Sequence, residues 1–261
     1  MTAHDPRPLR LRNVSKRFLR GESDQAGVLA VDDVSIGIGP SEVVSLIGPS
    51  GCGKSTVLRM AAGFEMPSEG TIFLGDTAVT GASSERGIVF QHPALFPWLN
   101  VHDNIVFGPK MRGVAPAIFL AEAEGYIRAV NLTGFEHHFP YQLSGGMRQR
   151  AQIARVLINQ PEILLMDEPF GALDFQTRLS MQRLILDLWA KYRQSILFIT
   201  HDVDEAIFLS DRIFVMSAQP GRVQAEIRVP FGRDRHYTTV MRSPEAAEIK
   251  VTILGLLGYT E

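Results

Sequence analysis

A chain of 261 residues, 45% apolar and 21% charged, is long enough to bury a sizeable core, and its composition excludes intrinsic disorder, collagen-like repeats and low complexity. With 26 basic residues against 28 acidic ones the net charge is −2, so there is no global positive field for nucleic acid, which is not expected as a partner. The single cysteine, Cys52, can form no internal disulfide and fits a reducing cytosol; no run of about 18 apolar residues is present to span a bilayer, and residues 1–18 lack the apolar core of a signal peptide.

In chain order, Leu9, Leu11 and Val14 interleave with polar residues and predict a half-buried strand, followed by a polar loop over residues 21–27. Val31 to Ile38 reads as a second strand. Glu42 to Ile47 is a nearly continuous apolar run, as in a strand buried on both faces. It enters a Gly-rich turn, then a helix over Lys54 to Ala62 with Gly63 as its stop. From His92 to about Gln160 the pattern is mostly helical, with helices expected over Val101 to Phe107, Pro116 to Val130 and Gly146 to Ile158. Strand–helix alternation then returns. Strands are expected at Glu162 to Met166, Ser195 to Thr200, Arg212 to Met216 and Arg222 to Val229, and helices at Phe175 to Tyr192, Val203 to Leu209 and Pro244 to Leu257. Alternation broken by a helical insert predicts an α/β core, about residues 1–91 and 161–261, with a helical subdomain over about 92–160.

Gly48-Pro49-Ser50-Gly51-Cys52-Gly53-Lys54-Ser55-Thr56 matches G-x-x-x-x-G-K-[ST] between a buried strand and a helix. The glycines let backbone amides close around phosphate oxygens, and the helix N-terminus adds its positive dipole end. Lys54 would neutralise the β- and γ-phosphates, and Ser55 would ligate Mg²⁺. The same helix-terminal field is expected to favour a Cys52 thiolate open to thiol reagents. The strand Ile163 to Met166 ends in Asp167 and Glu168. Ligands of parallel sheets sit beyond the carboxyl ends of strands, which turns Asp167 toward the Mg²⁺ and puts Glu168 where a water could attack the γ-phosphate. Leu143-Ser144-Gly145-Gly146-Met147 opens a helix. Taken alone it reads as an ordinary N-cap, although its backbone is also suited to an anion.

Together these segments resemble the ATP-binding subunit of ABC transporters, over nearly the whole chain. Gly48 to Thr56 is similar to Walker A, Gln91 to the Q-loop glutamine, LSGGM (Leu143 to Met147) to the signature motif with Met147 in place of the usual Gln, ILLMDE (Ile163 to Glu168) to Walker B with its catalytic glutamate, Ala172-Leu173-Asp174 to the D-loop, and His201 to the switch histidine. Phe18 stands where an adenine-stacking aromatic is expected. The resemblance implies a P-loop NTPase core with a mostly parallel sheet, an N-terminal antiparallel β-subdomain and a helical signature subdomain. It implies ATP and Mg²⁺ as cofactors, with Ser55, Gln91 and Asp167 at the metal and Glu168, Gln91 and His201 as catalytic groups. Phe18, residues 48–56, Ser144, Gly145, Gly146 and Asp174 would bind nucleotide. It further implies a head-to-tail homodimer whose ATP lies between one copy's Walker A and the other's LSGGM. That dimer would act on membrane permease subunits served by a periplasmic or extracellular solute-binding protein, from the cytoplasmic face of the membrane.

Two prolines keep His92-Pro93-Ala94-Leu95-Phe96-Pro97-Trp98-Leu99 out of helix or strand, yet it carries Leu95, Phe96, Trp98 and Leu99, as a docking patch does. In the resembling family this region receives the permease's coupling helix. The wording FQHPALFPWLNVHDNIVFG is similar to the nitrate, sulfonate and taurine group of importer ATPases, which implies a small anionic solute. An exporter or lipoprotein-release ATPase and an ABC ATPase that moves no solute are the alternatives. Arg228, Arg233, Arg235 and Arg242 are expected on a solvated surface.

Overall fold

The computed structural model describes residues 6–19, 27–232 and 234–259; the polar loop over residues 21–26 and Arg233 lie outside the described residues. Strand β1 (Leu9–Phe18) pairs antiparallel with β2 (Val28–Ile38) on one side and β4 (Glu69–Leu74) on the other, and β5 (Thr77–Ala78) completes a four-stranded sheet. The second sheet has six strands in the order β10-β9-β3-β8-β7-β6. It is built from β3 (Val43–Ile47), β6 (Arg86–Val89), β7 (Ile163–Asp167), β8 (Ser195–Ile199), β9 (Arg212–Met216) and β10 (Val223–Arg228). All neighbours in it are parallel except β10, which runs antiparallel to β9.

The continuous apolar runs are explained by two cores on opposite faces of this sheet. Successive side chains of a strand point to opposite faces. Val43 and Ile47 of β3, Leu164 and Met166 of β7, and Ile196 and Phe198 of β8 enter one core with the helices that follow residue 100. Val44 and Leu46, Ile163 and Leu165, and Leu197 and Ile199 enter the other, with Leu9, Val14 and Ile36 of the antiparallel sheet and Val57 and Met60 of helix α1 (Lys54–Ala62). Helix α1 is thus held between the two sheets. It ends at Gly63, whose φ of 80° is the left-handed conformation that stops helices.

Between β6 and β7 lie α2 (Val101–Met111), α3 (Pro116–Ala129), a 3₁₀ turn (Pro140–Gln142) and α4 (Gly145–Leu157). Helix α2 runs past the expected stop at Phe107, with Pro109 inside it. The later helices are α5 (Phe175–Tyr192), α6 (Val203–Leu209), α7 (Tyr237–Met241) and α8 (Pro244–Leu256).

Arg228 and Arg242 are exposed as expected, but Arg235 is 2% exposed, which corrects the surface reading. Its guanidinium donates to the carbonyls of Phe208 at 3.1 Å and Ser210 at 2.6 Å, and to those of Phe231 and Gly232. It also pairs with Asp211 at 3.0 Å. The orphan carbonyls at the end of α6 and one carboxylate supply what water would have supplied, so the buried charge is satisfied.

Candidate active site

The phosphate loop leaves β3 at its carboxyl end and caps α1. Gly53 is the N-cap with φ 98°, and a Cβ there would stand 2.8 Å from the Ala30 carbonyl oxygen, so only glycine fits. Ser50, Gly51 and Ser55 face solvent, while Pro49, Gly53 and Thr56 are half-buried and Gly48 is buried. Lys54 is 6% exposed, and its Nζ donates to the carbonyls of Gly48 at 2.8 Å and Pro49 at 2.9 Å. Among the described residues it has no ion pair with a carboxylate. A nearly buried cation beside the amides of a helix start, with two carbonyls and the Cys52 sulfur as partners and no carboxylate among the described residues, is suited to a phosphate.

Cys52 is placed differently from expectation. It is 1% exposed, with its Sγ 3.8 Å from Lys54 Nζ and packed against Gly48. The thiol points into the core between the sheets, so the loop presents the backbone of Cys52 and not a thiolate open to reagents.

Ser55 Oγ donates to Asp167 Oδ1 at 3.1 Å. Burial pushes the Asp167 carboxyl up from its ordinary range and the neighbouring Glu168 charge adds to this, while the Ser55 hydrogen bond opposes it. One hydroxyl and one carboxylate, both hard oxygen donors, beside a phosphate loop are the donor set that Mg²⁺ takes when substrate phosphates and water complete its octahedron. Glu168 turns the chain at the end of β7 with φ 44°, the left-handed region that non-glycine residues rarely enter. Its amide donates to the Ile199 carbonyl of β8 at 3.0 Å, and its Oε2 lies 3.1 Å from His201 Nδ1. Gln91 joins the same group. A Cβ built on Gly171 would stand 3.2 Å from Gln91 Nε2 and 3.8 Å from Glu168 Oε2. Lys54, Ser55, Asp167, Glu168, His201 and Gln91 therefore converge at the carboxyl ends of β3, β6, β7 and β8.

The remaining expected residues lie apart from that group. Ser144 caps α4, its Oγ accepting from Met147 N at 3.3 Å. Gly145 is exposed, and Gly146 packs so that a Cβ would stand 2.7 Å from Thr177 Cγ2. No hydrogen bond or ion pair among the described residues joins this segment to the phosphate loop. Asp174 caps α5 through Thr177 N at 3.0 Å, and that hydrogen bond to the charged form lowers its carboxyl pKa. Phe18, 38% exposed at the end of β1, has Lys16 Nζ 5.1 Å from its ring centroid.

Sequence reading missed the side chains that hold the loop after Gln91. From α4, Gln149 and Gln152 donate to the Phe90 carbonyl at 3.3 and 3.4 Å, and Gln152 Oε1 accepts from Ala94 N at 3.0 Å. The Arg155 guanidinium lies 4.1 Å from the Phe96 ring centroid. Asn104, fully buried, accepts from Phe96 N at 2.8 Å and donates to the carbonyls of Phe96 and Leu99 at 3.1 and 2.9 Å. The available signal was a pair of glutamines three residues apart on an otherwise apolar helix face. Phe96 is half-buried against Phe107, at 4.5 Å between centroids, whereas Trp98 stays 71% exposed.

The chain is similar to known proteins along most of its length. The family model described as "ABC transporter" matches residues 31–171. The chain is 44% identical over 252 residues to the taurine import ATP-binding protein TauB of Jannaschia sp. (strain CCS1), covering 95% of this chain and 93% of the relative. It is 42% identical to an uncharacterised ABC transporter ATP-binding protein of Methanocaldococcus jannaschii, covering 95% and 91% of the two chains. The dimeric ATP-binding cassette MJ0796, in a post-hydrolysis state with ADP and Pi, superposes with a TM-score of 0.74 at 29% identity, covering 86% of this chain and all of the other. The fold of CbiO1 from Clostridium perfringens superposes with a TM-score of 0.78 at 23% identity, covering 98% of each chain. In fold, in phosphate loop and in sequence along almost its whole length, this chain belongs to the ABC transporter family, as an ATP-binding subunit that hydrolyses ATP.

Proposed function

We propose that this chain powers the uptake of a small anionic solute of the taurine, sulfonate or nitrate kind through a membrane permease. The observation that carries the import reading is the similarity to taurine import ATP-binding proteins along nearly the full length of both chains. In this reading two copies pack head to tail. Lys54 and the amides that open α1 hold the ATP phosphates of one copy, and Ser144 to Gly146 of the other copy close on the γ-phosphate. Phe18 stacks on the adenine. Asp167 and Ser55, with Gln91, would hold Mg²⁺, which would supply neutralisation of the charge on the phosphoryl oxygens. Glu168 orients the attacking water and takes its proton. His201, hydrogen-bonded to Glu168, would contact the γ-phosphate. The helical segment over about 92–160 forms the subdomain that carries the signature.

No helix among the described residues is long and apolar enough to cross a membrane. Membrane contact is therefore proposed to run through the permease, with the subunit peripheral on the cytoplasmic face and a separate solute-binding protein delivering cargo. Uptake of labelled taurine, an alkanesulfonate and nitrate in a strain lacking this chain tests the reading. Loss of uptake of at least one, restored by the wild-type chain and not by Lys54→Ala, is the expected result. Unchanged uptake of all three, with efflux impaired instead, would overturn it.

The exposed Trp98 ring stacks on Phe96 at 5.5 Å, outside the group around Glu168. Trp98→Ala is expected to leave ATP hydrolysis by the isolated subunit within about twofold of wild type, while permease co-purification or transport falls about tenfold or more, as for an exposed aromatic anchor worth at least 1.4 kcal/mol. A collapse of hydrolysis by the isolated subunit would show the ring to be part of the core.

A further inference from the structure

Glu168 and His201 approach each other from different loops, 33 residues apart in the chain, and their 3.1 Å contact is on the surface, with the His201 ring 65% exposed. A contact between an exposed ring and a carboxylate is held only as well as the loops on either side. Pairing of β7 with β8 and the Glu168 amide bond to Ile199 hold the strand ends together, and beyond them a largely buried polar cluster on α5 and α6, to which neither sequence motif nor family comparison assigns a role, links the two loops.

The loop after Glu168 is a tight turn. Gly171 N donates to the Glu168 carbonyl at 3.2 Å, and Leu173 N to the Phe170 carbonyl at 3.0 Å. The chain then enters α5 through the Asp174 cap. On the other side, His201 stands between Thr200 and Asp202. Thr200 Oγ1 donates to Glu205 Oε2 at 2.6 Å and accepts from Asp202 N at 3.0 Å. Asp202 Oδ1 caps α6 through Asp204 N and Glu205 N at 2.9 and 3.2 Å. Glu205 is 5% exposed and takes a further hydrogen bond from Gln182 Nε2 at 3.2 Å.

Arg178, one turn into α5, reaches both loops with one guanidinium. Its Nη2 donates to the Leu173 carbonyl at 3.3 Å, and its Nη1 donates to Asp202 Oδ2 at 3.3 Å. Its Nε lies 3.7 Å from Glu205 Oε1 in an ion pair. The planar, forked shape of the guanidinium lets one side chain hydrogen-bond an acceptor on each loop while its Nε, which has no hydrogen-bond partner among the described residues, stays beside the Glu205 charge, which a lysine cannot do.

We propose that Arg178 is a positioning residue for hydrolysis, a brace that holds the Glu168 turn and the His201 loop at the separation their hydrogen bond requires, with Glu205 as its buried anchor. Among the described residues its hydrogen bonds and ion pairs go to Leu173, Asp202 and Glu205 and none to the phosphate loop. Its loss therefore acts on the chemical step and not on nucleotide affinity. Misplacement of a reacting group by about 1 Å costs up to about 10²-fold in rate.

The proposal rests on ATP hydrolysis at Glu168, so wild type and Glu168→Gln accompany the test. Arg178→Gln and Arg178→Lys are assayed in the full-length chain for kcat and KM with MgATP, for thermal midpoint, and by ¹⁵N NMR of the labelled His201 imidazole, assigned by its loss in His201→Ala. In Arg178→Gln, kcat is expected to fall about ten- to hundredfold with KM within about twofold, and the His201 signal to move. Arg178→Lys is expected to keep the wild-type thermal midpoint without recovering the rate, because the charge stays beside Glu205 and the fork is lost. A kcat within about twofold of wild type in Arg178→Gln, or a fall in kcat with the His201 signal unmoved in a folded variant, overturns the brace. If wild type itself does not hydrolyse ATP, or Glu168→Gln hydrolyses it normally, it is the assignment of the site that fails.

Discussion

Replacing Glu168 with Gln is expected to lower ATP turnover by about 10²–10⁴-fold, the range for loss of a general base. The substitution keeps the shape of the side chain and removes its charge and basicity. The carboxylate stands one residue beyond Asp167 at the end of β7 and 3.1 Å from His201, so the amide would still fit the turn and still meet the ring. Nucleotide binding should survive, because Lys54, Ser55 and the amides at the start of α1 are untouched. With binding intact and hydrolysis blocked, the protein should accumulate as an ATP-dependent dimer, read by size-exclusion chromatography with and without MgATP. Near-normal hydrolysis would mean that another carboxylate carries the chemistry.

Lys54→Ala should give the opposite pattern. The ammonium is nearly buried, held by the carbonyls of Gly48 and Pro49 and the neutral sulfur contact of Cys52, with no carboxylate partner among the described residues, so its charge is available to phosphate. Removing one partner of a buried charge pair costs about 2–5 kcal/mol of binding. At the middle of that range the Kd for MgATP rises on the order of 10²–10³-fold. No ATP-dependent dimer should form at nucleotide concentrations that saturate Glu168→Gln. The fold itself should tolerate the change, because a desolvated cation is removed and no carboxylate partner is orphaned. A thermal midpoint at or above that of wild type without nucleotide, together with lost binding in titration calorimetry, is the expected pair of results. Retained binding at wild-type Kd would show that the loop amides alone suffice.

Local signals in the sequence were enough for the phosphate loop, the α/β alternation and several elements outright. Helix α1 begins at Lys54 because the glycine turn precedes it and ends at Ala62 because Gly63 follows; α5 and α6 likewise run between their Asp caps and the ends of their periodic patterns. The short strands β4, β5 and β6 were not legible. A four-residue strand such as Arg-Gly-Ile-Val has little period of its own, and it becomes a strand by pairing with β7, more than 70 residues away in the chain. Side-chain fates that depend on distant partners were equally out of reach. Cys52 sits in a loop whose sequence looks open, yet packing between two sheets buries it. Arg235 looks like a surface arginine until the carbonyls at the end of α6 close around it.

The same division runs through the active site. The sequence by itself offered the candidate residues: the phosphate loop and the Asp167-Glu168 pair through residue types at short spacings, and Gln91 and His201 through the family resemblance. Only the tertiary structure decided how those residues meet: His201 on Glu168, Asp167 on Ser55, Gln149 and Gln152 on the backbone beside Gln91, and Arg178 across two loops. Apart from the Arg178 bond to Leu173, five residues away, these contacts join segments brought together by parallel strand pairing or helix packing, which are non-local. Gln149 and Gln152 are buried where an unmet polar partner is costly, and so the fold as a whole selects their geometry.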